Sequence, residues 1–337
     1  METPGAPGVP TRRHVVSAIA AGSAMALPAM RAIPACAEAS YPVRAIKVVI
    51  PFSAGSVTDI CVRILAERLA PRLGQQIVVD NQSGPGGIAA ARAALSAPRD
   101  GYTLEIFANS TAVAVSQFNN LTYDPFVDFI PISGISDFGY VIGTNSGSRF
   151  ENLAEVLGEM RRRPGAVNLG TSAAGTSPYF MAELLKIMAK VDFAIVPYRL
   201  TSELTMSMLR GDVDVYIDTF GAFKSSWEGK RARALATTGA TRLPLLPEVP
   251  TVDEQGVPGF DVTSWNGLFA PAHTPPEAVA RLTKDIAATL AEPEVVQGFR
   301  DAGAIASPLS PATLTARLHD DTEKWARVIA LLNVPKK

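Results

Sequence analysis

Two stretches of this sequence place small hydroxyl residues and glycine where a helix begins, an arrangement suited to holding an anion. The first is AIKVVIPFSAGSVTD, residues 45–59. Within it Ser53-Ala54-Gly55 supplies a turn, Ser56 can cap the new helix, and Asp59 can complete a capping box and face the positive helix end. The second is Gly175-Thr176-Ser177, where two hydroxyls and several N–H groups at a helix start can hold one carboxylate. Such chemistry is recognition by dipoles, with no bond made or broken. An ordinary strand-to-helix connection and plain helix capping need the same residues, so each stretch keeps that second reading.

Catalytic chemistry finds less support. A hydrolase would use Ser177 or Ser56 as nucleophile and would need a general base, yet beyond the N-terminal segment the histidines are His273 and His319. His273 falls in a proline-flanked turn and His319 stands beside Asp320 and Asp321; neither adjoins a nucleophile motif, and Gly-x-Ser-x-Gly is absent. No His/Cys cluster has metal-ligand spacing, so no metal and no cofactor is expected. Cys61 lies on an apolar helix face and reads as a buried small hydrophobe. Of Asp212, Asp214 and Asp218, Asp218 alone is expected to point at a cleft. The glycine-rich run 81–87 lacks a following Lys-Ser/Thr and reads as a tight turn rather than a phosphate loop.

The elements that would carry these residues alternate. Apolar runs predict strands over 46–52, 77–79, 102–107, 129–133, 140–144, 167–169, 195–196, 213–217 and 263–270. Helical spacing predicts helices over 56–73, 88–95, 153–162, 176–188, 202–210, 276–290, 294–302 and 311–332. Alternation of this kind implies an α/β fold with parallel sheet and helices on both faces, and two such blocks imply two lobes.

At 337 residues the chain is long enough for both, and its net charge of -1 argues against a nucleic-acid or anionic-membrane partner. Arg12-Arg13, an uncharged alanine-rich run and Ala35-Cys36-Ala37 read as an export signal over residues 1–39, cut near Ala37 or Ala39, by general or twin-arginine export.

Tyr41-Pro42 with Pro51 to Gly55, Val79-Asp80-Asn81 with Gly84 to Gly87, Asp100 to Leu104, Tyr123-Asp124-Pro125, Gly175 to Ser177, Val196-Pro197-Tyr198, Pro250-Thr251-Val252 and Ser264-Trp265 form an ordered set. In that order and spacing the chain resembles the substrate-binding receptors of tripartite tricarboxylate transporters, also called Bug proteins, from about Tyr41 to near its end. The resemblance implies a two-lobed periplasmic binding protein of the type II Venus-flytrap kind. Each lobe would be a mostly parallel sheet flanked by helices, with the chain crossing twice between them. Lobe 1 would combine residues 41–142 with 263–337, and lobe 2 would be 143–262. It further implies a small carboxylate ligand held in the cleft by backbone amides, hydroxyls and water, with membrane permease subunits as partner and a monomeric receptor. A ligand sensor that docks on a signalling protein would share the fold.

Carried over by position, the ligand contacts would be Phe52, Ser53, Ala54, Gly55 and Asp59, with Asn109 nearby, then Ser172, Gly175, Thr176, Ser177, Tyr198 and Asp218. The chain departs from the family pattern at Ser53, Ser56, Tyr179 and Leu200. Leu200 adds bulk where glycine is usual, and Tyr179 puts a phenol where histidine is frequent, which implies a preference for a less polar ligand.

Overall fold

The computed structural model describes residues 41–173 and 175–332, so the expected export segment and its cleavage positions lie outside the described residues. The chain begins with β1 (Ile46–Ile50), α1 (Val57–Leu73), β2 (Ile77–Asn81), a 3-10 turn at Pro85–Gly87, α2 (Ile88–Leu95) and β3 (Thr103–Ala108). α3 (Asn109–Gln117), β4 (Phe129–Asn145), α4 (Leu153–Arg162), β5 (Asn168–Ser172), α5 (Ser177–Ala189) and β6 (Ala194–Tyr198) follow. Next come α6 (Thr201–Arg210), β7 (Val215–Thr219), α7 (Phe220–Glu228) and β8 (Ala232–Thr237). β9 (Thr263–Pro271), α8 (Pro276–Leu290), α9 (Pro293–Asp301), β10 (Ile305–Ala306) and α10 (Pro311–Leu332) complete it.

The strands join in the order β2-β1-β3-β9-β4-β7-β5-β6, with β8 and β10 also pairing β4. Parallel pairing holds for β2-β1-β3 and for β7-β5-β6, as the alternation predicts. β9, which follows β8 with no helix between them, runs antiparallel to β3 and β4; β4 follows α3, lies parallel to β3 across β9, and runs antiparallel to β7 and β8.

β4 is the shared spine. Up to Gly139 it pairs with β9, and from Tyr140 it pairs with β7 and β8. The sequence predicts two short strands here, over 129–133 and 140–144; the chain forms one strand of 17 residues instead. Glycines in the intervening GISDFG suggest a break, but they permit close packing: a Cβ on Gly134 would lie 2.6 Å from Ser307 O. Register shifts at Pro131/Ser133 and Gly134/Ser136 accommodate the proline without ending the strand.

Four further elements escape the sequence reading: α3, α7, β8 and the two-residue β10. α7 carries Phe220 and Phe223 at helical spacing and both are buried, so its apolar signal was present. β8, ARALAT, has neither β-branched nor aromatic residues before its last position, and only pairing with β4 makes it a strand.

Two apolar layers cover the β9-containing part of the sheet. α1, α8 and α9 bury Cys61, Leu65, Leu282 and Phe299 on one face. On the other, Phe107, Phe129, Phe269 and Trp325 continue into Phe180 and Leu185 of α5 and Val215 of β7. α6 and α7 close a separate cluster around Tyr216, Phe220 and Phe223. The glycine run before α2 is anchored structurally, with the Tyr123 hydroxyl donating to Gly86 O at 2.8 Å.

Candidate functional site

The first candidate loop leaves the end of β1 and enters α1. Ser53, Ala54 and Gly55 are exposed, and Gly55 has φ +79°, a left-handed conformation that a side chain would strain. Ser56 caps α1 as expected, its hydroxyl accepting from Asp59 N–H at 3.2 Å. Asp59 does not close the reciprocal box onto Ser56. Its Oδ2 accepts from the Gly55 N–H at 2.9 Å, one residue earlier, while Arg63 Nε donates to it at 3.0 Å and Asn81 Nδ2 donates to Oδ1 at 3.0 Å. Asn81 also donates to Phe52 O at 3.0 Å. Asp59 is therefore a buried clasp for the loop, and Val57 and Thr58 remain as the first-turn donors of α1.

Burial would raise the Asp59 pKa, but hydrogen bonds from Arg63, the Gly55 amide and Asn81 outweigh it and hold the carboxyl below its ordinary value. A lowered folded-state pKa contributes stability above the unfolded value, near 3.9, and that stability is lost as pH falls through the folded value. Asp59→Ala is expected to cost about 1–3 kcal/mol at neutral pH. Urea unfolding of parent and variant checks this, and the difference should shrink as pH falls below the ordinary aspartate pKa of about 4.

The second candidate loop joins β5 to α5. Thr176 is the N-cap residue, but its hydroxyl turns back to Ala173 O at 2.8 Å and caps nothing. Pro178 occupies the first turn and has no N–H, so the donors left without a partner among the described residues at this helix start are the amides of Ser177 and Tyr179. α6 and α7 also start without a side-chain cap, at Leu200 and Thr219.

Asp218 fills the junction between β5, β7, α6 and α7. It is buried, accepts from Ser172 Oγ at 3.0 Å and from Thr219 N–H at 2.7 Å, and lies against Thr201. Burial raises its pKa, and the hydrogen bonds from Thr219, Ser172 and Thr201 only partly oppose this. Ser172 is in register with Tyr198, which lines a groove over α6 together with Ser202, Glu203, Met206, Ser207 and Arg210.

The structure thus groups Phe52, Ser53, Ala54, Gly55 and Asp59 in one loop, and Ser172, Asp218 and Tyr198 around the ends of β5, β6 and β7. Ser177 is tied to the spine by a residue the sequence reading passes over. Tyr140, the first β4 residue paired with β7, is buried against the hydroxyls of Ser264 and Ser177, with the carboxyls of Asp218 and Asp321 nearby. Burial pushes its pKa up to about 12, so it stays a neutral donor and acceptor. Nothing in YVIGTN marks this tyrosine, because its position follows from the partner change within β4. Asn109 stands apart: it starts α3, is 1% exposed, donates to Thr263 O at 3.2 Å and accepts from Trp325 Nε1.

The departures from the family pattern take different positions. Ser53 is exposed with its hydroxyl 3.4 Å from that of Ser83, Ser56 is the α1 cap, Tyr179 is half-buried against the core, and Leu200 is 56% exposed at the start of α6. His319 stacks on Phe126 with ring centroids 4.1 Å apart, and neither it nor His273 hydrogen-bonds a serine among the described residues. Among the described residues no group of three or more His, Cys, Asp or Glu could hold a metal ion, and no helix is long and apolar enough to cross a membrane.

Comparison with known proteins agrees with this architecture. The profile of the tripartite tricarboxylate transporter family receptor matches residues 61–334. The UPF0065 protein in the tcbD-tcbE intergenic region of Pseudomonas sp. (strain P51) is 35% identical over 293 residues, covering 86% of this chain and 87% of that one. The structure of Rpa4515 of R. palustris with adipate superposes with a TM-score of 0.81 at 31% identity, covering 88% of this chain and 99% of that one. MatC (Rpa3494) from Rhodopseudomonas palustris with bound malate gives 0.76 at 30% identity, covering 86% and 100%. With an α/β fold of two lobes built on a common strand, the chain belongs to the family of tripartite tricarboxylate transporter receptors, which are periplasmic solute-binding proteins.

Proposed function

We propose that this receptor captures a small carboxylate between its lobes by hinge closure and presents it, as an exported periplasmic monomer, to the membrane subunits of a tripartite tricarboxylate-type transporter. It performs no chemistry on the ligand. Lobe 1 comprises residues 41–142 and 263–337, and lobe 2 residues 143–262; the partner change at Gly139/Tyr140 supports the first crossing. The observation that carries the reading is the start of α5, where Thr176 leaves the helix uncapped and Ser177 sits beside Tyr140 at the crossing strand. Free N–H groups at a helix start attract an anion, and each such terminus contributes about 0.3–1 kcal/mol, more when partly buried.

The ligand contacts are Phe52 to Gly55 with the α1 start from lobe 1, and Ser172, Gly175, Thr176, Ser177 and Tyr198 from lobe 2. Asp59 and Asp218 act by holding these loops, since their oxygens already serve protein donors. The Asp218 oxygens already accept from donors at the α6 and α7 starts, so the ligand carboxylate goes to α5 and α1. Adipate and malate, the ligands of two relatives, give the probe class.

Native mass spectrometry of ligand carried through purification, followed by calorimetric titration with adipate, malate, succinate, citrate, an amino acid and an aromatic acid, tests the proposal. Binding of at least one carboxylate is expected, and binding of none overturns it. Ser177→Ala is expected to weaken that binding about tenfold, or about 1.4 kcal/mol. Exposed Leu200 and half-buried Tyr179 favour a less polar acid, so a preference for citrate would refute that part.

A further inference from the structure

The start of α7 and the turn after α9 meet backbone to backbone. A Cβ on Gly221 would lie 2.5 Å from Val57 Cγ2 and would collide with Ala302 O; a Cβ on Gly303 would lie 2.5 Å from Gly221 Cα. Lys224 crosses the same seam, donating to Asp301 O at 3.0 Å. Strand register places the seam beside the crossing. Thr219, two residues before Gly221, pairs with Tyr140, and Ile305, two residues after Gly303, pairs with Asp137. A wedge this close to a hinge axis moves the distant rim by more than its own thickness, because displacement grows with distance from the pivot.

We infer that Gly221 and Gly303 form the pivot contact that sets how far the two lobes close. The inference rests on the hinged-receptor reading above. Gly221 lies inside a helix, where alanine is intrinsically the better residue, so local propensity alone predicts that Gly221→Ala is harmless. Packing predicts the opposite, because backbone atoms on the other side of the seam cannot rotate away as a flexible side chain would. Gly303 has φ +81°, so alanine there adds backbone strain to the same wedge. A Cβ on Gly221 would meet Val57 at the ligand-loop end of α1, whereas the three atoms nearest a Cβ on Gly303 are backbone atoms of Gly221 and Phe220.

Small-angle X-ray scattering of the ligand-free protein tests this. Gly221→Ala and Gly303→Ala should each show a larger radius of gyration than the parent, while Gly158→Ala, where a Cβ meets nothing within 4 Å, should match it. Folded glycine variants with the parent radius overturn the inference. An increase in Gly221→Ala alone also overturns it, by assigning the effect to displaced Val57. Should the glycine variants fail to fold, Lys224→Ala reads the same seam: a smaller increase supports the pivot and the parent radius refutes it. Failure of the receptor reading would show separately, as no carboxylate bound by the parent.

Discussion

Replacing Trp325 with alanine is expected to lower the free energy of unfolding by about 3–5 kcal/mol, the range for deleting a large buried aromatic. Trp325 is 1% exposed on α10, and its ring centroid lies 6.1 Å from that of Phe180 in α5. Its Nε1 donates to Asn109 Oδ1 at the start of α3, and Asn109 in turn donates to Thr263 O at the start of β9. Through Asn109, this side chain therefore joins α10, the start of α3, the start of β9 and the helix that opens at Ser177. Trp325→Phe separates the two contributions. It keeps most of the apolar contact but leaves Asn109 Oδ1 buried without its donor, a loss of about 1–3 kcal/mol. Urea unfolding should rank the parent above Trp325→Phe and that above Trp325→Ala; a neutral Trp325→Phe would show that the Asn109 bond contributes nothing.

Trp325 also shows where sequence reasoning succeeds and stops. The span of α10 was legible as 311–332 because its apolar residues repeat at helical spacing from Pro311 onward. Its partner was not. Asn109, expected near the ligand, begins a helix that the sequence reading does not contain, and its side chain bonds Trp325 and Thr263. Periodicity reports one element at a time, and a polar residue paired with a distant one carries no local mark.

The ligand loops divide the same way. Ser56 as cap was readable from spacing, and so was the start of α5 to within one residue, at Thr176 or Ser177. That Asp59 clasps Gly55 rather than Ser56, and that Thr176 turns its hydroxyl backward, depend on loop geometry that residue types do not encode. Tyr140 is the extreme case, since only the long-range register of β4 places it against Ser177 and Ser264.

Glu105 gives the largest expected pH effect. It lies on β3 between β1 and β9, is 1% exposed, and its Oε2 has no hydrogen-bond partner among the described residues. Burial raises its pKa well above the ordinary glutamate value, and its charge would in turn raise the buried Tyr123 hydroxyl. The fold therefore favours the protonated acid. A raised folded-state pKa gives stability that is fully present below the unfolded value, about 4.3, and is lost as pH rises through the folded value. The slope for one such proton is at most about 1.4 kcal/mol per pH unit. Asp218 and Asp321 are raised by burial as well, so the parent's pH profile alone cannot assign the loss to one group. Glu105→Gln removes only this titration and keeps the shape. Unfolding free energies of parent and variant measured across pH should diverge, with the variant gaining on the parent as pH rises from about 4 and the gap levelling off above the folded pKa. A difference independent of pH would show that Glu105 carries the same proton occupancy folded and unfolded, and would place the titrating acid elsewhere.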